Sequence, residues 1–262
     1  MSQQHAWLAQ SLAKADVSWH STLQRGLVAL DAADPSYLPA LAKDSYLPTN
    51  HRLFAAFKQP LEQIRFVLIG EGPYPREQSA TGVCFMDGAV DALWSPAGLS
   101  KQVNRATSLR NFMKMLMVAE GLLKSDATSG ESVAEVSRQA IADGSQFIQT
   151  LPQLQHNLHS QGFLLLNAAL VFRPHVPPVK EAKAWRPFLE VVLDAFLSRA
   201  GQPTPTLVLW GKIAALLQAM PVSERFPHAL AEHPYNLSFI KNRDMQQLFG
   251  PMRLLAKAQS FH

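Results

Sequence analysis

The chain has 262 residues, 47% of them hydrophobic and 17% charged, which excludes a disordered or low-complexity chain and allows one large folded domain. Basic residues number 24 against 20 acidic ones, giving a formal charge of +4 and a pI near 9.3, so a polyanionic partner is compatible with the charge but not required by it. A single cysteine, Cys84, excludes an intramolecular disulfide and points to a reducing, cytoplasmic setting; no apolar run reaches the length of a membrane span, and the start MSQQHAWLAQ lacks the charged-then-apolar pattern of a secretory leader.

Apolar residues recur at helical spacing from about residue 5 to 33, through Trp7, Leu8, Leu12, Trp19, Leu23, Leu27 and Leu30, predicting two helices that close at Asp34-Pro35. Residues 1–43 then read as a helical segment packed on a single domain spanning 1–262. A loop rich in proline and tyrosine follows, and His51 to Phe57 reads as a short helix. Phe66 to Ile69 is an apolar run with no polar face, as a strand buried on both sides of a parallel sheet requires. The run stops at Gly70, and Glu71-Gly72-Pro73-Tyr74-Pro75 concentrates glycine and proline into a sharp turn whose backbone N–H groups become available to a ligand.

The stretch after Phe85 reads as irregular to about Arg105, and Thr107-Ser108 as the cap of a helix through Glu120 with Leu109, Phe112, Met113 and Leu116 inward. Residues 124–133 are small and polar and predict a mobile loop. Two helical segments lead to a second buried strand, Phe163 to Leu166; a helix from Trp185 to Ala200 precedes a third, Thr206 to Trp210; a fourth, His228 to Glu232, ends at His233. Strands separated by helices predict a three-layer α/β/α domain with a short four-stranded parallel sheet, its loops 71–75, after 166, after 210 and after 232 gathered at one edge. Arg173, Lys180, Lys183 and Arg186 cluster with only Glu181 among them, either as a solvated basic face or as part of a polyanion site.

Four segments in order carry a resemblance. Gly70 to Pro75 with Gly82-Val83-Cys84-Phe85 is similar to the first signature of the family 1 uracil-DNA glycosylases. Gly162 to Asn167, Leu209-Trp210-Gly211 and His233-Pro234-Tyr235-Asn236-Leu237-Ser238 resemble the elements that follow it, with similarity running upstream through Tyr46 to Phe57. The resemblance implies a DNA partner, and a monomer is expected; no metal cluster, nucleotide-phosphate motif or Ser-His-Asp arrangement is evident in the sequence, so no cofactor or metal is expected. It implies a base turned out of the duplex and read by its edge: Phe85 stacking on uracil, Asn167 pairing with O4 and N3–H, and Tyr74 excluding the methyl group of thymine. His233 would donate a hydrogen bond to O2 as negative charge develops there. Leu237 would enter the duplex as a wedge, and Ser108, Gly211 and Ser238 would grip phosphates.

The chain departs from the pattern at the turn. Gly72 occupies the place of the water-orienting aspartate, and Glu71 that of a glutamine. Loss of such a preorganised group predicts a rate lower by about 10²–10³. Glu71, Glu77 and Asp87 are the acids near enough in sequence to be considered as substitutes. Lys212 stands for a serine, and Tyr235 and Asn236 for serine and proline, where the tyrosine either stacks on a base or obstructs the loop. The expectations are a glycosylase-like protein with weak or altered hydrolysis, a non-catalytic damage-binding homologue, or a glycosylase for another modified base. Cys84, in the apolar patch Val83-Cys84-Phe85, reads as a buried small hydrophobe and not as a nucleophile.

Overall fold

The computed structural model describes residues 3–257; the two ends of the expected 1–262 domain, residues 1–2 and 258–262, lie outside them. Six strands form: β1 (Phe66–Gly70), β2 (Trp94–Ser95), β3 (Gly98–Leu99), β4 (Phe163–Asn167), β5 (Thr206–Trp210) and β6 (His228–Ala231). Four of them make the expected parallel sheet in the order β4-β1-β5-β6, and β2 pairs with β3 in a two-stranded antiparallel ribbon. That ribbon and a following short helix correct the irregular reading of residues 86–105; Trp94 and Leu99, which face each other across it, are both buried, so the ribbon is too short for periodicity to reveal.

The helices are α1 (Ala9–Leu12), α2 (His20–Ala33), α3 (Tyr37–Leu41), α4 (Lys101–Arg105), α5 (Thr107–Ala119), α6 (Glu131–Ala142), α7 (Leu151–Ser160), α8 (Pro178–Leu197), α9 (Lys212–Gln218) and α10 (Arg243–Phe249). Several boundaries differ from the sequence reading, among them the start of α6 at Glu131, inside the loop expected over 124–133. The helix expected from His51 to Phe57 is only a 3-10 turn, Ala55–Phe57, and a second such turn, Leu61–Gln63, precedes β1. The N-cap of α5 is Ala106, with no side-chain capping bond, so Thr107 and Ser108 lie inside the helix. The helix expected from Trp185 begins earlier, at Pro178, where proline suits the first helical position because its missing N–H would be unpaired there in any case.

The described residues group into two compact units. The first holds residues up to 88, 162–209 and 213–228, and its core sets an aromatic cluster among leucines and other aliphatic residues. Trp19 meets Phe57 edge-on with centroids 5.0 Å apart and Phe196 at 5.5 Å, and Phe54 stacks on Phe188 at 6.0 Å. Burial of such rings dominates the packing energy. Here β1 lies between β4 and β5 in parallel register: Phe66 is opposite Phe163, and Gly70 is opposite Asn167. Among the described residues no helix is long and apolar enough to cross a membrane.

The second unit holds residues 89–161, 210–212 and those from 229 onward. Its core brings Phe112 of α5 against Trp210 and Phe249, with centroids 5.6 and 5.1 Å away. Its carboxyl-terminal segment is tied down by Asn157, whose amide donates to the carbonyls of Leu254 and Ala256 at 2.8 and 2.7 Å, and by Glu120, whose Oε1 accepts the Leu255 N–H at 3.0 Å.

Burial pushes the Glu120 carboxyl up to about 7 from an ordinary value of 4.5, against the backbone donors and Arg253 that act the other way. The folded chain therefore favours the neutral acid, and stability present below pH 4.5 is lost as pH rises through about 7. Glu120→Gln should raise the thermal midpoint at pH 8 by the equivalent of about 1–2 kcal/mol and change it much less at pH 5. Thermal unfolding at the two pH values checks this, and equal shifts at both would contradict it.

Candidate functional site

In the first unit the site is built where β1 and β4 end side by side. A Cβ on Gly70 would fall 2.5 Å from Cys84 Sγ and 3.1 Å from Asn167 Oδ1, so only a residue without a side chain leaves room for both neighbours. The Gly70 carbonyl accepts from Ala168 N–H at 2.8 Å and the Glu71 carbonyl from Ala169 N–H at 3.1 Å, which ties the 71–75 turn to the loop after β4. Gly72 is different. A Cβ there would meet only Ala169, its carbonyl oxygen at 3.7 Å and its Cβ at 3.8 Å, and the backbone φ lies outside the left-handed region. Glycine at position 72 is permitted by the backbone and not demanded by it.

Asn167 is 6% exposed, and its side-chain amide makes no hydrogen bond among the described residues. Its polar atoms are not among the fully enclosed ones that lack a partner, so they reach the surface, where water or a ligand can meet them. Beside it runs the segment that ends in Phe85: the Cys84 N–H donates to the Leu165 carbonyl at 3.0 Å, and the next residue, Phe85, takes a φ of +67°. A bulky residue held in the left-handed region is uncommon and signals a position fixed by its surroundings.

Tyr74 is half-buried. Burial raises its phenol, with the Cys84 thiol and the Asp87 carboxylate acting in the same direction, so it stays neutral. The Cys84 thiol is itself pushed up to about 12 by burial, against a hydrogen bond from Gly70, and is the inert hydrophobe its sequence context indicates.

The acids considered as substitutes are placed as follows. Glu71 is exposed on the turn. Glu77 is exposed and accepts from the Thr49 hydroxyl at 2.9 Å. Asp87 is 6% exposed, with Oδ2 3.8 Å from Arg76 Nη2. A fourth acid, which the sequence reading counted only as an interruption in a basic cluster, is Glu181. It is 2% exposed and lines, with Gly72, a cavity of about 230 Å³. Its Oε2 accepts from the Tyr37 hydroxyl at 2.6 Å and its Oε1 from Arg173 Nε at 2.5 Å.

The basic cluster is correspondingly less basic than the sequence suggests. Arg173 also pairs with Asp44 at 3.3 Å, and the exposed Arg186 with Glu190 at 2.9 Å, which leaves Lys180 and Lys183 as the exposed charges of the cluster without an ion pair among the described residues.

In the second unit β5 ends in a turn at Gly211, with φ +63°, where a Cβ would come within 2.8 Å of His233 Cβ. The Gly211 N–H donates to the Ala231 carbonyl at 2.9 Å, and Lys212 beyond it is exposed. The 233–238 loop is fixed from inside. Asn111, fully buried on α5, donates to the Pro234 carbonyl at 2.7 Å. Sequence reasoning passed over this residue; its signal was an amide within the apolar face that Phe112 and Leu116 mark. The Tyr235 N–H donates to His233 Nδ1 at 3.1 Å, which places the proton of the neutral imidazole on Nε2 and makes that nitrogen a donor.

Leu237 and Tyr235 are 69% and 67% exposed, two large apolar groups presented by one short loop. Ser238 is exposed and hydrogen-bonds the Glu232 carboxylate. Burial pushes that carboxyl up, but hydrogen bonds from its own backbone, from Ser238 and from Asn242 outweigh burial and hold it below the ordinary range. Ser108 is half-buried in the first turn of α5.

No family model matches the chain. Among curated proteins it is 29% identical to a uracil-DNA glycosylase of Nocardioides sp. over 195 residues, 74% of this chain and 67% of that protein, and 27% identical to one of Thermobifida fusca over 195 residues, 74% and 68% respectively. Among solved structures it is similar to the wild-type UNG from Nitratifractor salsuginis, with 38% identity, a TM-score of 0.87, and coverage of 98% of this chain and 100% of that one. A point variant of the same protein gives 39% identity and a TM-score of 0.86, covering 97% and 99%.

The two turn glycines should respond differently to substitution. Gly72→Asp should leave the thermal midpoint nearly unchanged, within about 1 kcal/mol, whereas Gly70→Ala should destabilise by about 1–3 kcal/mol through overpacking against Cys84 and Asn167. Denaturant unfolding of both variants measures the difference, and equal costs would show that the turn relaxes.

Proposed function

The chain belongs to the uracil-DNA glycosylase superfamily, and on that premise we propose that it binds a uracil, or a closely related base, extruded from DNA and hydrolyses its N-glycosidic bond through an altered arrangement of the attacking water. The observation that carries the reading is the Asn167 amide, buried at the carboxyl end of β4 with its hydrogen-bonding groups unmet among the described residues. In this proposal that amide accepts from N3–H and donates to O4, a pairing that cytosine reverses. Phe85 stacks on the base, Tyr74 rejects a methyl group at C5, and Glu71 and Gly72 form the turn beneath it.

Bond cleavage leaves negative charge on the base, and His233 is the proposed donor to O2, its proton on Nε2 as the Tyr235 bond to Nδ1 favours. Leu237 is the proposed wedge, supported by its exposure. Ser108, Gly211, Lys212 and Ser238 are the proposed phosphate contacts, of which Lys212 adds a charge and so a salt dependence. A single free, buried cysteine fits the reducing cytosol in which we place the chain, acting as a monomer on DNA.

A second reading, a damage-binding homologue without hydrolysis, is favoured by one fact alone, the missing side chain at Gly72. An abasic-site assay on uracil-containing single and double strands separates the two. The expected outcome is strand breaks at uracil after alkaline treatment, none at thymine, and a rate that Asn167→Ala lowers by about 10² while the thermal midpoint stays close to the parent's, since that amide makes no internal bond to lose. Salt-sensitive binding of uracil DNA without product would establish the second reading instead.

A further inference from the structure

The turn at Gly72 faces a cavity of about 230 Å³ whose wall is largely apolar, with Ala169, Phe172 and Val176 among its residues. Two carboxylates reach that wall, Glu71 and Glu181. They differ in mobility. Glu71 is exposed, whereas Glu181 is 2% exposed and gripped on both oxygens, by the Tyr37 hydroxyl at 2.6 Å and by Arg173 Nε at 2.5 Å. Arg173 is held in turn by Asp44, which also has His175 Nε2 within 3.0 Å. Each oxygen of a carboxylate held in this way keeps a further lone pair for a water. A fixed charge in an apolar wall acts more strongly on developing charge than the same group in water.

We propose that Glu181, from the first turn of α8, supplies the carboxylate that the 71–75 turn lacks: it holds the attacking water in this cavity and offsets positive charge on the sugar. The proposal rests on the glycosylase reading above. The C1′–N1 bond breaks with its electron pair leaving on N1 of the base. The water oxygen then donates a pair to C1′, one water proton passes to the Glu181 carboxylate and on to solvent, and the base anion takes up a proton after release. Base and abasic sugar together contain the substrate plus one water. The open space at Gly72 keeps the cavity continuous with the turn, because no side chain there stands between Ala169 and the wall.

The test is single-turnover uracil release by the wild type, E181Q, G72D and the E181Q/G72D double variant, with a melting curve for each. E181Q should lose at least 100-fold in rate with uracil-DNA affinity changed less than about three-fold, and G72D in that background should restore at least ten-fold, because it returns a carboxylate to the same cavity. A purely structural Glu181 would not be rescued in this way. An E181Q rate within three-fold of the wild type, or a loss that G72D leaves unrepaired in a protein that melts normally, would overturn the proposal while the glycosylase reading stands. A wild type that releases no uracil would overturn both. Should E181Q fail to fold, Tyr37→Phe removes one donor and leaves the carboxylate. Uracil release should then fall at least ten-fold with uracil-DNA affinity changed less than about three-fold, and an unchanged rate overturns the proposal.

Discussion

The parallel register between β1 and β4 is the constraint on which the first unit's site depends. It sets Gly70 opposite Asn167, and side chains alternate faces along a strand, so a slip of one residue would turn the Asn167 amide to the other side of the sheet. Stacking of Phe66 on Phe163 at 4.7 Å secures the amino end of the pair. The absent Gly70 side chain secures the other end, since Cys84 Sγ and Asn167 Oδ1 occupy the space a Cβ would need. The edge of β4 is not left open either: Cys84 donates to Leu165, and the strand edge becomes the support from which Phe85 is displayed.

A comparable economy governs the loop of the second unit. Three consecutive carbonyls, of Pro234, Tyr235 and Asn236, lie within 2.7–3.4 Å of one buried amide nitrogen on Asn111. A loop fixed through its carbonyls can leave its side chains outward, and Tyr235 and Leu237 are outward. The internal bond from Tyr235 N–H to His233 Nδ1 does the same for the imidazole, favouring one tautomer through the backbone.

The legible parts of this fold are those whose causes are local. Apolar runs bounded by glycine and proline located β1, β4 and β5 to within a residue, and the loops after them carried the residues that made the resemblance visible. The illegible parts have distant causes. Glu181 looked like an isolated acid among Arg173, Lys180, Lys183 and Arg186, because its partner Tyr37 is 144 residues away and Asp44 is 129 residues from Arg173. Asn111 looked like one polar residue on a helix because the carbonyls it serves lie 123–125 positions downstream. The β2–β3 ribbon was missed because two residues per strand carry no measurable period.

What glycine at position 72 means follows from comparing it with its neighbour. A glycine forced by backbone conformation or by a close approach is a statement about packing, and Gly70 is of that kind. Gly72 meets nothing nearer than 3.7 Å and needs no left-handed φ, so packing does not account for it. The alternative is that the space itself is used. Its floor holds a buried carboxylate fixed in place by Arg173 and Tyr37, both recruited from outside the four resembling segments. A negative charge near a sugar cation acts through distance and dielectric, not through the chain position that carries it. The same electrostatic task can therefore pass from a turn to the first turn of a helix across one cavity, and a turn freed of that task has no further use for a side chain.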